Sequence, residues 1–312
     1  MKSKLLDTLF FSEKRKNLLL FLADGPKSSG EIKEAFDFPW KSMIPQIKQL
    51  LKTGMVTKEG EVYRLSGMGP VVVANMKHLL GTLELYEENM DYWKDHELSS
   101  LPPYLRERIH ELERCQVVPL KNENILLQNR VLNSILASGR VRLFFSAFYS
   151  ELPFFYSELL ERKIKTGIII SEAAFKDMQE GLLEEKNSPD LKNSLFGTLF
   201  KGYRKETGKL LDRENRDVFV YTGARIPAAV LLTDNLLSVV LYGKNGVLTN
   251  QYLLCQEPGA LKWGEELFMH YMNNSKRVCD YESVSEVSEP EVSEPRKVER
   301  IPVHEMPETI LP

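Results

Sequence analysis

Apolar residues recur at helical spacing in three short segments near the start of the chain. Leu18, Leu19 and Leu22 form the first stripe, which stops at Asp24-Gly25-Pro26. A second segment opens at Ser28-Ser29, places Glu31 in its first turn and sets Ile32, Ala35 and Phe36 on one face. A third lies between Asp37 and Gly54 and turns Met43, Ile47 and Leu50 inward. Two alternating runs then flank Gly60 between Thr57 and Leu65, the pattern of a small hairpin. Three helices followed by a hairpin predict a winged helix-turn-helix over residues 1–68. Pro45 falls inside the third segment, and proline is tolerated best in a first turn. The expected helix start is therefore near Ser42.

Beyond Pro70 the apolar positions are Val72, Met76, Leu79, Leu83, Tyr86, Met90 and Trp93, with steps alternating between four and three. That is the a/d seam of a coiled coil. One continuous linker helix over 69–96 is expected, with Leu79, Leu83 and Tyr86 at the centre of a dimer seam. The same stripe could pack instead on the chain's own effector domain. Pro102-Pro103 ends this segment.

Residues 97–275 read as a mixed α/β domain. Val117–Leu120 looks like a short edge strand, and 125–138 like a helix. Strand 141–148, a helix from about Glu151 to Lys163 and strand 167–170 form a βαβ unit. Ser171 is placed to cap the next helix. Leu195, Phe196, Leu199, Phe200 and Tyr203 suggest a short buried helix. A meander follows, with strands at 218–221, 228–233, 236–242 and 247–255, and a closing helix over 261–273 turns Leu261, Phe268 and Met272 inward. The tail, 276–312, repeats Val-Ser-Glu-Pro units that bury no core, so it is expected to be disordered. The fold class is α+β: winged helix, linker helix, effector domain and tail.

Charge sharpens this division. The net charge of −3 hides a basic head. Residues 1–67 hold twelve Lys and Arg against eight acids, residues 280–312 hold nine acids against three bases, and the middle is nearly neutral. A basic head suits local phosphate contact. Cys115, Cys255 and Cys279 form no CxxC spacing and no evident disulfide framework, so idle thiols are expected. The five histidines stand apart, and no metal or cofactor is expected. Neither a signal peptide nor a membrane span is evident, which points to the cytoplasm.

Candidate chemistry follows from placement. On the third helix Lys41, Ser42, Gln46 and Gln49 lie off the apolar stripe. Gln pairs with adenine edges, and Lys or Ser reaches phosphates or bases. Lys58 and Arg64 lie in the wing. These six are the DNA-binding candidates, with double-stranded DNA as partner and a homodimer to read two half-sites. In the middle domain Ser146 and Tyr149 follow the first strand of the βαβ unit. Arg225 lies in the 223–227 loop. These three are candidates for a small anionic effector. The alternative is a DNA-tethered adaptor that binds protein and no small ligand. Catalysis is not expected: P-loop, GxGxxG and GxSxG signatures are missing from the sequence. The loose likeness to a phospholipase-D layout lacks its His-x-Lys pair.

Ile44-Pro45-Gln46-Ile47-Lys48 before Gly54-Met55-Val56, and Leu83–Asn89 running into Trp93, carry a family resemblance. So do Leu98–Leu112, Thr233-Asp234 with Leu241-Tyr242, and Ala260–Phe268. Over residues 1–275 the chain resembles archaeal regulators that join an ArsR-like winged helix to the middle domain of the Fil-type methanogenesis regulators. The resemblance implies a cytoplasmic transcriptional regulator with a sensor-like middle domain.

Overall fold

The computed structural model describes residues 4–120, 129–146, 152–187, 205–212, 216–223, 228–247 and 249–280. The N-terminal unit contains α1 (Lys4–Phe10), α2 (Glu13–Leu22), β1 (Lys27–Ser28), α3 (Ser29–Ala35), α4 (Trp40–Lys52), β2 (Val56–Glu59) and β3 (Val62–Leu65). Ser28 and Glu31 close a capping box on α3. The hairpin β2–β3 is joined by β1 into a three-stranded antiparallel sheet. Its turn uses Gly60 at positive φ, where a side chain would be strained. Leu18, Leu19, Leu22, Ile32, Met43, Ile47 and Leu50 are buried together. Each such side chain contributes roughly 1.5–3 kcal/mol. The unit is a winged helix-turn-helix.

Helix α4 begins at Trp40, two residues before the expected start, so Pro45 sits in its second turn. Pro45 is exposed. The hydrogen bond that it cannot give to the Lys41 carbonyl therefore falls on the open side of the helix, which makes the proline tolerable there.

The linker is two helices rather than one. Helix α5 (Gly69–Glu88) ends at Asn89, whose φ −137° and ψ 46° are not helical, and α6 (Met90–Asp95) starts after it. The break turns Trp93 out of the expected seam and into the core, where its indole N–H donates to the Leu85 carbonyl at 2.9 Å. Met76 is also lost from the seam, because it packs in the winged-helix core with Val73. Leu79, Leu83, Tyr86 and Met90 remain exposed, at 39–48%.

The C-terminal unit is built on an eight-stranded mixed sheet. Helix α7 (Pro103–Arg106) and a 3-10 turn at Ile109–Leu112 precede edge strand β4 (Gln116–Pro119). Then come α8 (Asn129–Leu136), β5 (Arg140–Phe145), α9 (Leu152–Glu161), β6 (Lys165–Ser171), α10 (Glu172–Asn187), α11 (205–210) and β7 (Val218–Tyr221). The chain continues through β8 (Ala229–Leu232), β9 (Leu237–Val240), β10 (Gln251–Cys255), α12 (Pro258–Asn273) and β11 (Ser275–Arg277). The strand order is β11-β7-β6-β5-β8-β9-β10-β4. Strands β5, β6 and β7 are parallel, and the βαβ unit β5–α9–β6 lies at the centre. Strand β7 does not belong to the meander: it pairs with β6, while the meander β8–β9–β10 starts on the other side of β5. Ser171 caps α10, with its Oγ 3.2 Å from the Ala174 N–H.

Period-two alternation feeds two cores. Leu143, Phe145, Ile168 and Ile170 face the helical layer that includes α8 and α9. Phe144 and Ile169 face Trp93, Leu105, Trp263, Leu267, Phe268 and Tyr271. On α12 the inward residues are thus Trp263, Leu267, Phe268 and Tyr271, whereas Leu261 and Met272 are only partly covered. Leu85 of α5 belongs to this second core, so one helix is anchored in both units.

Two expectations change in the same region. Cys115, just before β4, and Cys255, at the end of the neighbouring β10, are brought together as a disulfide with Cα atoms 4.4 Å apart. Their separation of 140 residues hides this pairing from the sequence. The sheet also takes up Ser275–Arg277, and Val278 is buried, so ordered structure runs into the segment expected to be disordered. The helix at 195–203, residues 125–128 and the repeats beyond 280 lie outside the described residues.

Candidate nucleic-acid interface

Helix α4 has three facets. Met43, Ile47 and Leu50 are buried against α2 and the sheet. Lys41, Ile44, Pro45, Lys48 and Lys52 form the exposed facet opposite them. Ser42, Gln46 and Gln49 lie half-buried on a flank between the two.

The flank is already occupied by internal hydrogen bonds. Gln46 Oε1 accepts from Arg15 at 2.7 Å and from Ser12 at 3.2 Å. Ser42 Oγ accepts from Lys14 Nζ at 2.8 Å and donates to the Pro39 carbonyl at 2.7 Å. Two sequence-predicted base readers are therefore tied to α2 and the helix start. Gln49 shares their flank.

The exposed facet is different. Ion pairs of this unit among the described residues involve Lys16, Lys58, Arg64 and Lys77, and leave Lys41, Lys48 and Lys52 out. Of these three lysines only Lys41 was a sequence candidate. Lys48 and Lys52, together with Ile44, were missed. The available signal was their placement three, seven and eleven residues after Lys41, on the side opposite the buried stripe.

In the wing, Lys58 and Arg64 are exposed but paired. Lys58 lies 3.5 Å from Glu61, and Arg64 bonds Glu59. The Tyr63 hydroxyl, with Glu61, holds the Lys58 ammonium above its ordinary range. Glu61 is held below the usual carboxylate range, first by the Ser29 hydroxyl at 2.8 Å and then by Lys58. Phosphate contact by the wing must compete with these acids. Between α4 and the wing runs a groove of about 380 Å³, onto which Lys33, Trp40, Ile44, Lys48, Lys58 and Tyr63 open. Lys33 lies over the Trp40 ring at 4.9 Å. The groove gathers three cations from three separate elements beside the exposed facet.

Of the three effector candidates, only Ser146 is among the described residues. The Ser146 hydroxyl accepts from Tyr242 at 2.7 Å, and its carbonyl accepts from Ser171 at 2.9 Å. Tyr149 and Arg225 lie outside the described residues. The contact between the two units is elsewhere. There α5 packs on the 3-10 turn, His78 stacks on His110 with ring centroids 4.0 Å apart, and a cavity of about 400 Å³ opens beside Lys77, Arg114 and Glu257. Gly81 makes the approach close: a Cβ there would stand 2.5 Å from Glu113 Oε2. Burial, and then the His78 charge, lower the His110 pKa. Among the described residues no cluster of His, Cys, Asp and Glu could hold a metal, and no helix is long and apolar enough to cross a membrane.

Two family models match the chain. The N-terminal domain of the methanogenesis regulatory protein FilR1 matches residues 3–84, covering the winged helix and most of α5. The FilR1 middle domain matches 191–274, covering β7–β10 and α12. Together they span more than half of the chain. Methanogenesis regulatory protein FilR1 of Methanothrix harundinacea (strain 6Ac) is 23% identical over 275 residues, 86% of this chain and 56% of that protein. The chain thus matches little more than half the length of that relative. Among solved structures, TrmBL2, an archaeal chromatin protein described with a novel mode of DNA binding, is similar at 15% identity with a TM-score of 0.34. That match covers 88% of this chain and 97% of TrmBL2, and is too distant to argue from. Through both of its domains, the chain belongs to the FilR1 family of methanogenesis regulatory proteins.

Proposed function

We propose that this chain is a homodimeric, sequence-specific DNA-binding transcriptional regulator. Helix α4 enters the major groove, the wing follows the phosphate backbone, and a small effector acts through the sheet domain. One observation carries the DNA reading: Lys41, Lys48 and Lys52 stand on the open facet of α4 without carboxylate partners among the described residues. Cations left unpaired beside a groove suit a polyanion. The name of the FilR1 relative supports a regulatory role. Fluorescence anisotropy with labelled duplex DNA tests this reading. Binding should appear at low salt and weaken steeply as salt rises, and no salt-dependent binding would refute it.

The stripe Leu79, Leu83, Tyr86 supports dimerisation, since it is the exposed apolar face of a helix anchored in both units. Leu83→Glu sets like charges into that seam and should give a monomer with most operator affinity lost. A wild-type monomer by light scattering at micromolar concentration would contradict the dimer.

For the effector, α5 is the coupling element. A ligand that binds the two arrangements of α5 with different affinity shifts DNA affinity, and DNA must then change effector affinity by the same factor. The bonded state of Ser146 favours the adaptor reading at that one position. Calorimetry and DNA binding across a metabolite panel separate the two. Heat and a changed DNA affinity support the sensor, and silence throughout leaves the adaptor.

A further inference from the structure

On α4 the two amide side chains share the half-buried flank, and Gln46 is held by Arg15 and Ser12. The exposed facet that meets a groove holds no amide. It holds lysines and, in their midst, Ile44 with Pro45 beside it. Ile44 is 37% exposed, although a branched aliphatic side chain gains by being covered. It lies in the second turn of α4, three residues after Lys41 and four before Lys48, so all three share one face. In helix-turn-helix proteins the first turns of the recognition helix reach the base edges. The only apolar group displayed in the major groove is the thymine 5-methyl.

Resting on the DNA-binding reading above, we propose that Ile44 is the specificity-determining residue of the interface: it packs on thymine methyl groups, while Lys41 and Lys48 hold the flanking phosphates. The preferred operator is then thymine-containing at the contacted step, and Gln46 is a positioning residue that fixes α4 against α2.

The test first selects bound sequences from random duplex DNA with the full chain. The selected site is then remade with deoxyuridine for thymine, one position at a time, which removes the methyl and keeps the base pair. The wild-type chain should lose about fourfold in affinity at each contacted thymine. Ile44→Ala should bind the thymine site about as weakly as the wild type binds the uracil site, and should not distinguish the two. Because Ile44 is exposed, that variant should keep the wild-type circular dichroism and melting curve. Ile44→Val should retain most of the discrimination. Equal wild-type affinity for thymine and uracil sites would overturn the proposal. So would a sequence preference that changes in Gln46→Ala or Gln49→Ala and stays fixed in Ile44→Ala. Absence of any DNA binding would overturn the DNA reading together with it, and is recognised because no sequence is enriched at all.

Discussion

The two units handle their charges in opposite ways. In the sheet domain several arginines are engaged by carboxylates, while Arg130 bonds the amides of Gln116 and Gln256. Arg108 grips Glu111 and Glu266 with four hydrogen bonds of 2.6–3.2 Å, Arg142 meets Glu265, and Arg162 meets Glu158. Its hydrogen bonds to Arg108 hold the Glu266 carboxyl below the usual range. In the winged helix the wing cations are paired, but the lysines on the open facet of α4 are not. Arg142 ties α12 to the sheet and Arg108 ties α12 to the 3-10 turn, whereas Arg162 and Glu158 pair along one helix. The open-facet lysines gain a partner only when something else arrives. In the proposed reading, the three lysines clustered on one open facet of α4 mark the candidate interface more sharply than the net basicity of the head.

The largest effect on stability is expected from the covalent tie, which the sheet domain has and the winged helix lacks among the described residues. Breaking Cys115–Cys255 by reduction, or with Cys255→Ser, should lower the stability of the sheet domain by roughly 3–5 kcal/mol, because the closed loop is long. Denaturant unfolding followed by tryptophan fluorescence should show it, since Trp93 and Trp263 report that core. A transition unmoved by reductant would contradict it.

Next comes Arg108→Met. Its side chain is about one-third exposed, so the loss should be only about 1–2 kcal/mol after solvent screening. DNA affinity should not change. A variant that folds stably yet binds DNA poorly would show that charges in the sheet domain also serve the interface.

The smallest effect should come from the wing. Glu59→Gln with Glu61→Gln frees Arg64 and Lys58 for phosphates. Affinity for any duplex should rise roughly threefold at low salt, with a steeper salt dependence. Unchanged affinity would mean that the wing stands away from the backbone.

What the sequence made legible was local. The stripes Leu18-Leu19-Leu22 and Met43-Ile47-Leu50, the capping box at Ser28 and Glu31, and the Gly60 turn are set by neighbours a few residues apart. They sufficed for the winged helix. Long-range partners were not legible. The heptad steps run straight through Asn89, yet the sheet's core draws in Trp93 and breaks the helix there. A strand pattern at 218–221 says nothing about its neighbour, and β7 joins β6 rather than the meander. At the interface, Gln46 looked free because Arg15, its partner, lies 31 residues away. Lys48 and Lys52 could have been read from the helical wheel, as the centre of the arc opposite the buried stripe.

In the proposed complex the open facet of α4 is the DNA-contacting surface. The most direct measurement is the slope of log affinity against log salt for the wild-type chain and for Lys41→Gln/Lys48→Gln/Lys52→Gln on one duplex. Each lysine on a phosphate contributes roughly 0.9 to that slope for every bound protomer, so the triple variant should be shallower by about 2.7 per protomer, with unchanged melting behaviour. A variant whose slope matches the wild type would place the phosphates elsewhere and contradict the account.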